Sequence, residues 1–419
     1  MVADPMHICE LYYGFSIVNR LIGLYRNAFG GLSRPAWMLA VVMLINRSGT
    51  MVLPFLSIYL TSALGFSLRQ AGIILSMFGL GAMAGAWLGG WLSDRLGHFR
   101  VQLGSLIGGG ILFLILSTLD GFLHLAAGIF LVSLVSESLR PANASSIAAY
   151  ARPENLARAF SLNRLAINLG FSIGPALGGL LAAVSYRFLF WADGLTCLAA
   201  GLFFYLYFRH RRGNEPGFGR KRAAEPSAPR SPYRDGPFLI FILFTSLYAV
   251  VFFQLFTTLP LYYREVYSMS EMKIGALLAL NGLIVFSLEM ILVYLLGRSQ
   301  KLQMLISAGI ALTALSFLIL AMNHSGAVLI VSMVGISLGE ILAMPFMTTF
   351  TAQRADAGNR GAYMGLYTIA YAAAHVLAPY LGTTVLQHFD FDALWLASGA
   401  LGLLSAAGMF GLMRGVRMR

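Results

Sequence analysis

Two glutamates, Glu137 and Glu340, lie inside long apolar stretches. An ionisable side chain in hydrocarbon costs on the order of 3 kcal/mol and is usually functional; a carboxylate there can take up and release a proton. Glu137 lies three residues before Arg140, which puts both on one helical face, and Arg164 enters from the next apolar run. Those cations support a charge on Glu137, so with Arg140 and Arg164 it reads first as a structural or gating set and second as a proton site. Glu340 has no Lys or Arg in its own run, which makes it the first candidate for a proton carrier. Arg47 lies about ten residues into the first run, roughly 15 Å at the helical rise. From there it could bind a carboxylate on a ligand or neutralise Glu340. Asn46, Tyr59, Gln254, Asn281 and Tyr371 could hydrogen-bond a ligand, with Phe252, Phe253 and Phe256 as an apolar wall. His375 is of a type that titrates near neutral pH and could relay protons or simply pack. Glu289 could pair with a neighbouring helix.

The elements that must position these residues are apolar. The chain has 419 residues, 58% hydrophobic and 11% charged, with mean hydropathy +0.75, whereas a water-soluble domain carries roughly a quarter charged residues. A spanning helix needs about 20 apolar residues, so the length accommodates about twelve. Six apolar runs lie between residues 37 and 208, and six more follow residue 236. The expected organisation is a cytoplasmic amphipathic segment over 1–36, with a surface helix at 8–32, a six-helix bundle over 37–208, a basic linker over 209–236 and a second six-helix bundle over 237–419. Pro141 and Pro345, Pro175 and Pro379, and Gly178 and Gly382 repeat at an offset of 204 residues, with Pro54 and Pro260 within two of it. Matching kinks predict one six-helix unit used twice. The fold class is therefore an all-α membrane protein with twelve transmembrane helices in two pseudo-symmetric bundles.

Charge sets the expected orientation. If the N-terminus is inside, the outer loops hold only Arg69, Arg187, Arg264 and Lys273, and the other loop cations fall on the inner side, which predicts cytoplasmic termini and linker. The net charge of +12 is spread over those inner loops and does not form one face, so nucleic acid is not expected as a partner. Cys9 and Cys197 are isolated, and no His, Cys and carboxylate cluster has metal spacing. No phosphate-binding Gly-x-x-x-x-Gly-Lys-Ser/Thr loop is present. No cofactor, metal or catalytic site is expected, and no cleaved signal peptide is read at the start.

The stretch Gly90-Trp91-Leu92-Ser93-Asp94-Arg95-Leu96-Gly97-His98-Phe99-Arg100 places an acid and several cations between two apolar runs. Its pattern Gly-x-Leu-x-Asp-Arg-x-Gly-x-x-Arg resembles the signature between helices 2 and 3 of the major facilitator superfamily. The resemblance implies a cytoplasmic gate at Asp94 and Arg95, flanked by Gly90 and Arg100. There the carboxylate can face the positive end of a helix starting near Gly361. Gly170 to Gly179, with Gly174 and Pro175, resembles the Gly-x-x-x-Gly-Pro-x-x-Gly-Gly motif of drug/proton antiporters, which implies export. Gly339-Glu340-Ile341-Leu342 followed by Pro345 resembles helix 10 of lactococcal-type multidrug/proton antiporters, which implies proton coupling and cation binding at Glu340. It also resembles helix 10 of proton-coupled oligopeptide transporters, where that glutamate can hold a peptide's amino group. Asn46-Arg47 falls where the latter family has a Glu-Arg pair, but Asn46 replaces the glutamate. The reading is a secondary transporter of a small organic solute working by alternating access, proton-coupled with sodium left open, and an exporter. It is expected as a monomer in the bacterial inner membrane. The alternatives are a proton-coupled importer of peptides or other zwitterions and a membrane receptor that transports nothing.

Overall fold

In the computed structural model, residues 31–151, 156–210, 231–296, 302–322, 325–354 and 360–415 are described. Nearly all of the expected surface helix, most of the basic linker and the 297–301 connection lie outside them. Twelve helices are long and apolar enough to cross a membrane, and no strand occurs among the described residues. They are α1 (Arg34–Ala63), α2 (Leu68–Ser93), α3 (His98–Leu116), α4 (Phe122–Tyr150), α5 (Arg158–Val184), α6 (Arg187–Phe208), α7 (Gly236–Glu265), α8 (Glu271–Val293), α9 (Leu302–Met322), α10 (Gly326–Arg354), α11 (Tyr363–His388) and α12 (Phe391–Arg414). Six precede the linker and six follow it. In hydrocarbon every backbone polar group must find a partner within the protein, which leaves helices as the means for such apolar runs to cross.

Polar residues at the helix starts satisfy the first free amides. The Ser33 hydroxyl accepts from Ala36 N–H at 3.3 Å, and Ser67 forms a reciprocal box with Gln70. Asp235 caps α7 by accepting from Phe238 N–H at 3.2 Å. The same carboxylate accepts both Nε and Nη2 of Arg354 at 2.8 Å and the Tyr363 hydroxyl at 2.8 Å. One acid thus ties together the ends of α7, α10 and α11. Partial burial works against its charge, but Arg354, Tyr363 and the Phe238 amide hold the Asp235 carboxyl below the usual carboxylate range.

Two spans are interrupted at matching places. Within α1, helix runs from Arg34 to Ser48 and resumes at Val52, and within α7 it runs from Gly236 to Phe252 and resumes at Gln254. Positions 49–51 and 253–255 are related by the 204-residue repeat. α7 breaks again at Thr258 before Leu259–Glu265; Pro54 is third in Val52–Ile58 and Pro260 second in Leu259–Glu265, where a missing N–H costs least.

The two halves meet through α5 on α8 and α2 on α11. Contact is closest on the side away from the start of α1. There Val52–Ile58 packs on Leu259–Glu265, and a Cβ on Gly179 would fall 2.5 Å from the Glu271 carbonyl oxygen. The Tyr186 hydroxyl donates to Glu271 at 2.8 Å, with Arg264 at 3.4 Å from the same acid. Nearer the middle, Ser76 Oγ donates to the Val376 carbonyl at 2.9 Å, and Gly79 lies against the His375 backbone. Continuing along that face of α2, Met83 and Trp87 are exposed, Trp87 by 72%, and on α11 Thr368 and Gly365 are exposed too. The two helices therefore part toward the side where α1 begins. The result is a cleft closed at one end.

The signature stretch differs from its expected form as a loop. Helix continues through Gly90 to Leu96, and the connection is Gly97 alone, at φ +82. Such a value favours glycine. Arg95 stacks on Trp91 at 4.1 Å, and Arg100 is exposed in the first turn of α3. The side chains of Asp94, Arg360 and Ala362, and of Gly361 between them, lie outside what is described, and with them the expected contact between Asp94 and the start of α11.

Candidate functional site in the inter-half cleft

The first cluster is charged. The inner part of α1 brings Arg47 to Glu137 on α4, with Nη1 3.6 Å from Oε1, while Arg140 Nε bonds the other carboxylate oxygen. Arg47 and Glu137 are buried, whereas the Arg140 side chain is 57% exposed. Arg47 also lies 5.7 Å over the Phe171 ring of α5. Small residues on α5 make this approach possible. A Cβ on Gly170 would fall 2.6 Å from Arg47 Cβ, and one on Gly174 would fall 2.8 Å from the Thr50 carbonyl oxygen. The glycines of the α5 motif thus seat the interruption of α1, and Pro175 and Gly179 on the adjoining face meet α8 through Gly275. The motif works as a spacer between α1 and the opposite half.

Arg164 departs from its expected place. It reaches across the cleft and pairs with Glu289 on α8 at 2.5 Å, and Asn168 Nδ2 donates to the same acid at 2.8 Å. The second cation on Glu137 is Arg47 instead. Spacing along α4 and α5 could not show this, because the choice depends on which way α5 turns its polar face.

The second cluster is nearly neutral. Glu340 on α10 accepts from Asn281 Nδ2 of α8 at 3.2 Å, and that same amide reaches Ser337 Oγ at 3.0 Å. Among the described residues no cation lies within ion-pairing distance of Glu340, so Arg47 does not neutralise it. Glu289 and Arg164 are the charged groups that act on Glu340 across space. Tyr248 and Tyr371 lie near enough to Glu340 to feel its charge. Tyr371 accepts from the Tyr367 hydroxyl at 3.3 Å and continues to Met347 Sδ at 3.7 Å. His375, one turn further, accepts or donates at Nδ1 to the Tyr371 carbonyl at 3.1 Å, and its ring centroid is 3.6 Å from that of Phe253. It stands at the junction of the halves beside Leu53 and Phe78, near enough to Glu137 for their charges to interact.

Three expected ligand contacts are placed in other roles. Tyr59 is buried in the last turn of α1 against Tyr186 and Phe190, at centroid distances of 5.7 and 5.3 Å. Gln254 is consumed by the backbone, donating to Ala378 O at 3.1 Å and accepting from Thr258 at 2.7 Å. Asn46 donates to Cys197 Sγ at 3.2 Å. Sequence reading missed Asp193 on α6, whose carboxylate accepts the amides of Met51 at 2.9 Å and Val52 at 3.2 Å. An acid alone in an apolar run was the available signal. It also missed a buried amide chain in which Gln102 donates to Asn143 at 3.2 Å and Asn143 to Asn163 at 3.0 Å, joining α3, α4 and α5.

Chemically, the cleft offers three carboxylates: Glu137 between two guanidinium groups, Glu289 paired across the halves with Arg164, and Glu340 held by a neutral amide. No group of three or more potential metal-binding side chains occurs among the described residues.

Comparison with known proteins agrees with this architecture. Over 383 residues the chain is 27% identical to the uncharacterized MFS-type transporter YttB of Bacillus subtilis (strain 168), covering 90% of this chain and 94% of that one. It is 25% identical to a Na(+), Li(+), K(+)/H(+) antiporter of Planococcus maritimus (86% and 91% covered) and 25% identical to the multidrug resistance protein MdtH of Edwardsiella ictaluri (86% and 89% covered). A crystal structure of peptide transporter POT in complex with sulfate superposes with a TM-score of 0.75 at 17% identity, covering 92% of this chain and 95% of that one, a likeness of fold. The model of the Major Facilitator Superfamily matches residues 36–379, and the protein is accordingly a multi-pass membrane transporter belonging to that family.

Proposed function

We propose that the protein is a proton-coupled exporter of a small organic solute, with proton and substrate competing at or near Glu340. The observation that carries this reading is a carboxylate in the middle of a spanning helix, bonded by Asn281 and free of any ion-pairing cation among the described residues. Such a group can change charge without breaking an ion pair. Its charge is felt by the Arg164–Glu289 pair that links the halves, so occupancy of Glu340 has a short route to the angle of the cleft. With the termini cytoplasmic, as the distribution of Lys and Arg supports, the cleft opens inward. Protonation from outside would release the exported substrate on the outer side, and deprotonation inside would restore affinity for the next one.

Export is supported by the α5 motif and by likeness to relatives named as a multidrug resistance protein and a cation/proton antiporter. Peptide import would need Arg47 to take a substrate carboxylate, and Arg47 is already engaged with Glu137. A bacterial inner membrane is the setting that such relatives suggest.

The test is luminal pH in proteoliposomes as lipophilic cations, alkali cations and dipeptides are added outside in turn. Protons leaving the lumen as a cation enters is the expected result. Protons entering together with dipeptides would replace this reading with peptide import.

A further inference from the structure

The interruption of α1 leaves amides without their helical acceptors. In an unbroken helix Met51 and Val52 N–H would bond to the carbonyls of Arg47 and Ser48. Here the Arg47 carbonyl accepts from Thr50 at 3.1 Å, and the Met51 amide is left with a tight bond to Gly49 O at 2.7 Å. Free amides at this depth in a membrane are costly. Asp193 removes that cost by giving one carboxylate oxygen to each amide.

The arrangement is specific to this half. Gly49 packs against the Thr196 side chain, and Asn46 bonds Cys197, so three residues of one α6 face, 193, 196 and 197, grip the interruption. Gly170 and Gly174 of α5 close it from the other side. At the repeat-related place in α7 no acid stands: Gln254 accepts from the Thr258 hydroxyl and donates to the Ala378 carbonyl, and the position equivalent to Asp193 is Ala397. Beyond the interruption, the outer segment of α1 forms the closed end of the cleft with Leu259–Glu265. Before it stand Asn46 and Arg47.

We propose that Asp193 is the positioning residue of α1: by holding the Met51 and Val52 amides it fixes the angle between the segment carrying Arg47 and the segment that closes the cleft. Its importance for transport rests on the alternating-access reading above, but its measurement does not.

The experiment uses the full-length protein in lipid nanodiscs, with Cys9 replaced by serine, the buried Cys197 kept, and spin labels at Ser62→Cys and Ser270→Cys, which are exposed at the closed end on the two halves. Asp193→Ala and Asp193→Asn should broaden the label-to-label distance distribution about twofold, and Asp193→Glu, which keeps two acceptor oxygens, should restore most of the narrow distribution. Distributions in both Asp193 variants that overlay the parent would overturn the proposal. Hydrogen exchange on the unsubstituted protein supplies an arm that needs no variant. The Met51 and Val52 amides should exchange at least about tenfold more slowly than unprotected amides, and rapid exchange at both would equally overturn it. A moved distance with unchanged flux would leave Asp193 as the hinge and remove its role in coupling.

Discussion

Glu137 and Glu340 stand one repeat apart, within one residue of equivalent positions on α4 and α10, yet their neighbours share no chemistry. Glu137 is locked between Arg47 and Arg140, and Glu340 meets an amide and a set of tyrosines. The repeat places an acid at each of the two positions, buried at Glu137 and half-buried at Glu340. What each can do was then decided by partners on other helices. On the proposed reading the first of these acids keeps its charge and the second exchanges it. The same division appears in the interruptions of α1 and α7, where an acid from α6 takes the amides of the first and an alanine, Ala397, stands at the equivalent place beside the second.

The largest effect expected from breaking this contrast is at Glu340. Glu340→Gln removes the exchangeable proton while keeping the bond partner, and pH-driven flux in proteoliposomes should fall to that of protein-free vesicles with expression unchanged. Retained flux would move the coupling site elsewhere. At Glu137 the expected loss is one of stability. Glu137→Gln leaves Arg47 buried without its counter-charge, a defect of about 3 kcal/mol, read as a lowered unfolding temperature in detergent. Adding Arg47→Met should recover most of it, and a further drop in the double variant would show that the pair is not the unit described.

The contrast was only partly legible in the sequence. Apolar runs, repeated prolines and the two glutamates are properties of the chain taken along its length, and they led to twelve helices, two halves and the central acids. Which face of a helix meets which neighbour is not such a property. Arg164 was expected beside Glu137 and crosses to Glu289, and Tyr59 and Gln254 were expected at a ligand and serve packing and backbone. Asp193 escaped because its partners are backbone amides, which no spacing of side chains reveals.

Smaller effects would sharpen the picture. Glu289→Gln should weaken the bond between the halves by about 1–2 kcal/mol, increasing the wide-cleft population measured between spin labels at Leu96→Cys and Gly365→Cys. An unchanged distribution would show that Arg164 and Glu289 are together by proximity alone. Asp235→Asn should cost least, about 1 kcal/mol, because its ion-pair partner Arg354 is partly exposed and solvent-screened. Its carboxyl is held below the ordinary range, so its contribution is present above the unfolded value near ~3.9 and is lost as pH falls through the lower folded value. The difference in unfolding temperature between parent and variant should therefore be full at pH 6 and vanish in strong acid; a difference that grows with acidity would contradict the clamp.

That clamp also has a mechanical side. The chain re-enters the bilayer at Asp235, and the same carboxylate is fastened to the ends of α10 and α11. A pull arriving along the backbone at this point is shared by three helices and does not bend α7 by itself. A load reaching the second bundle at Asp235 is therefore spread over α7, α10 and α11 from the outset.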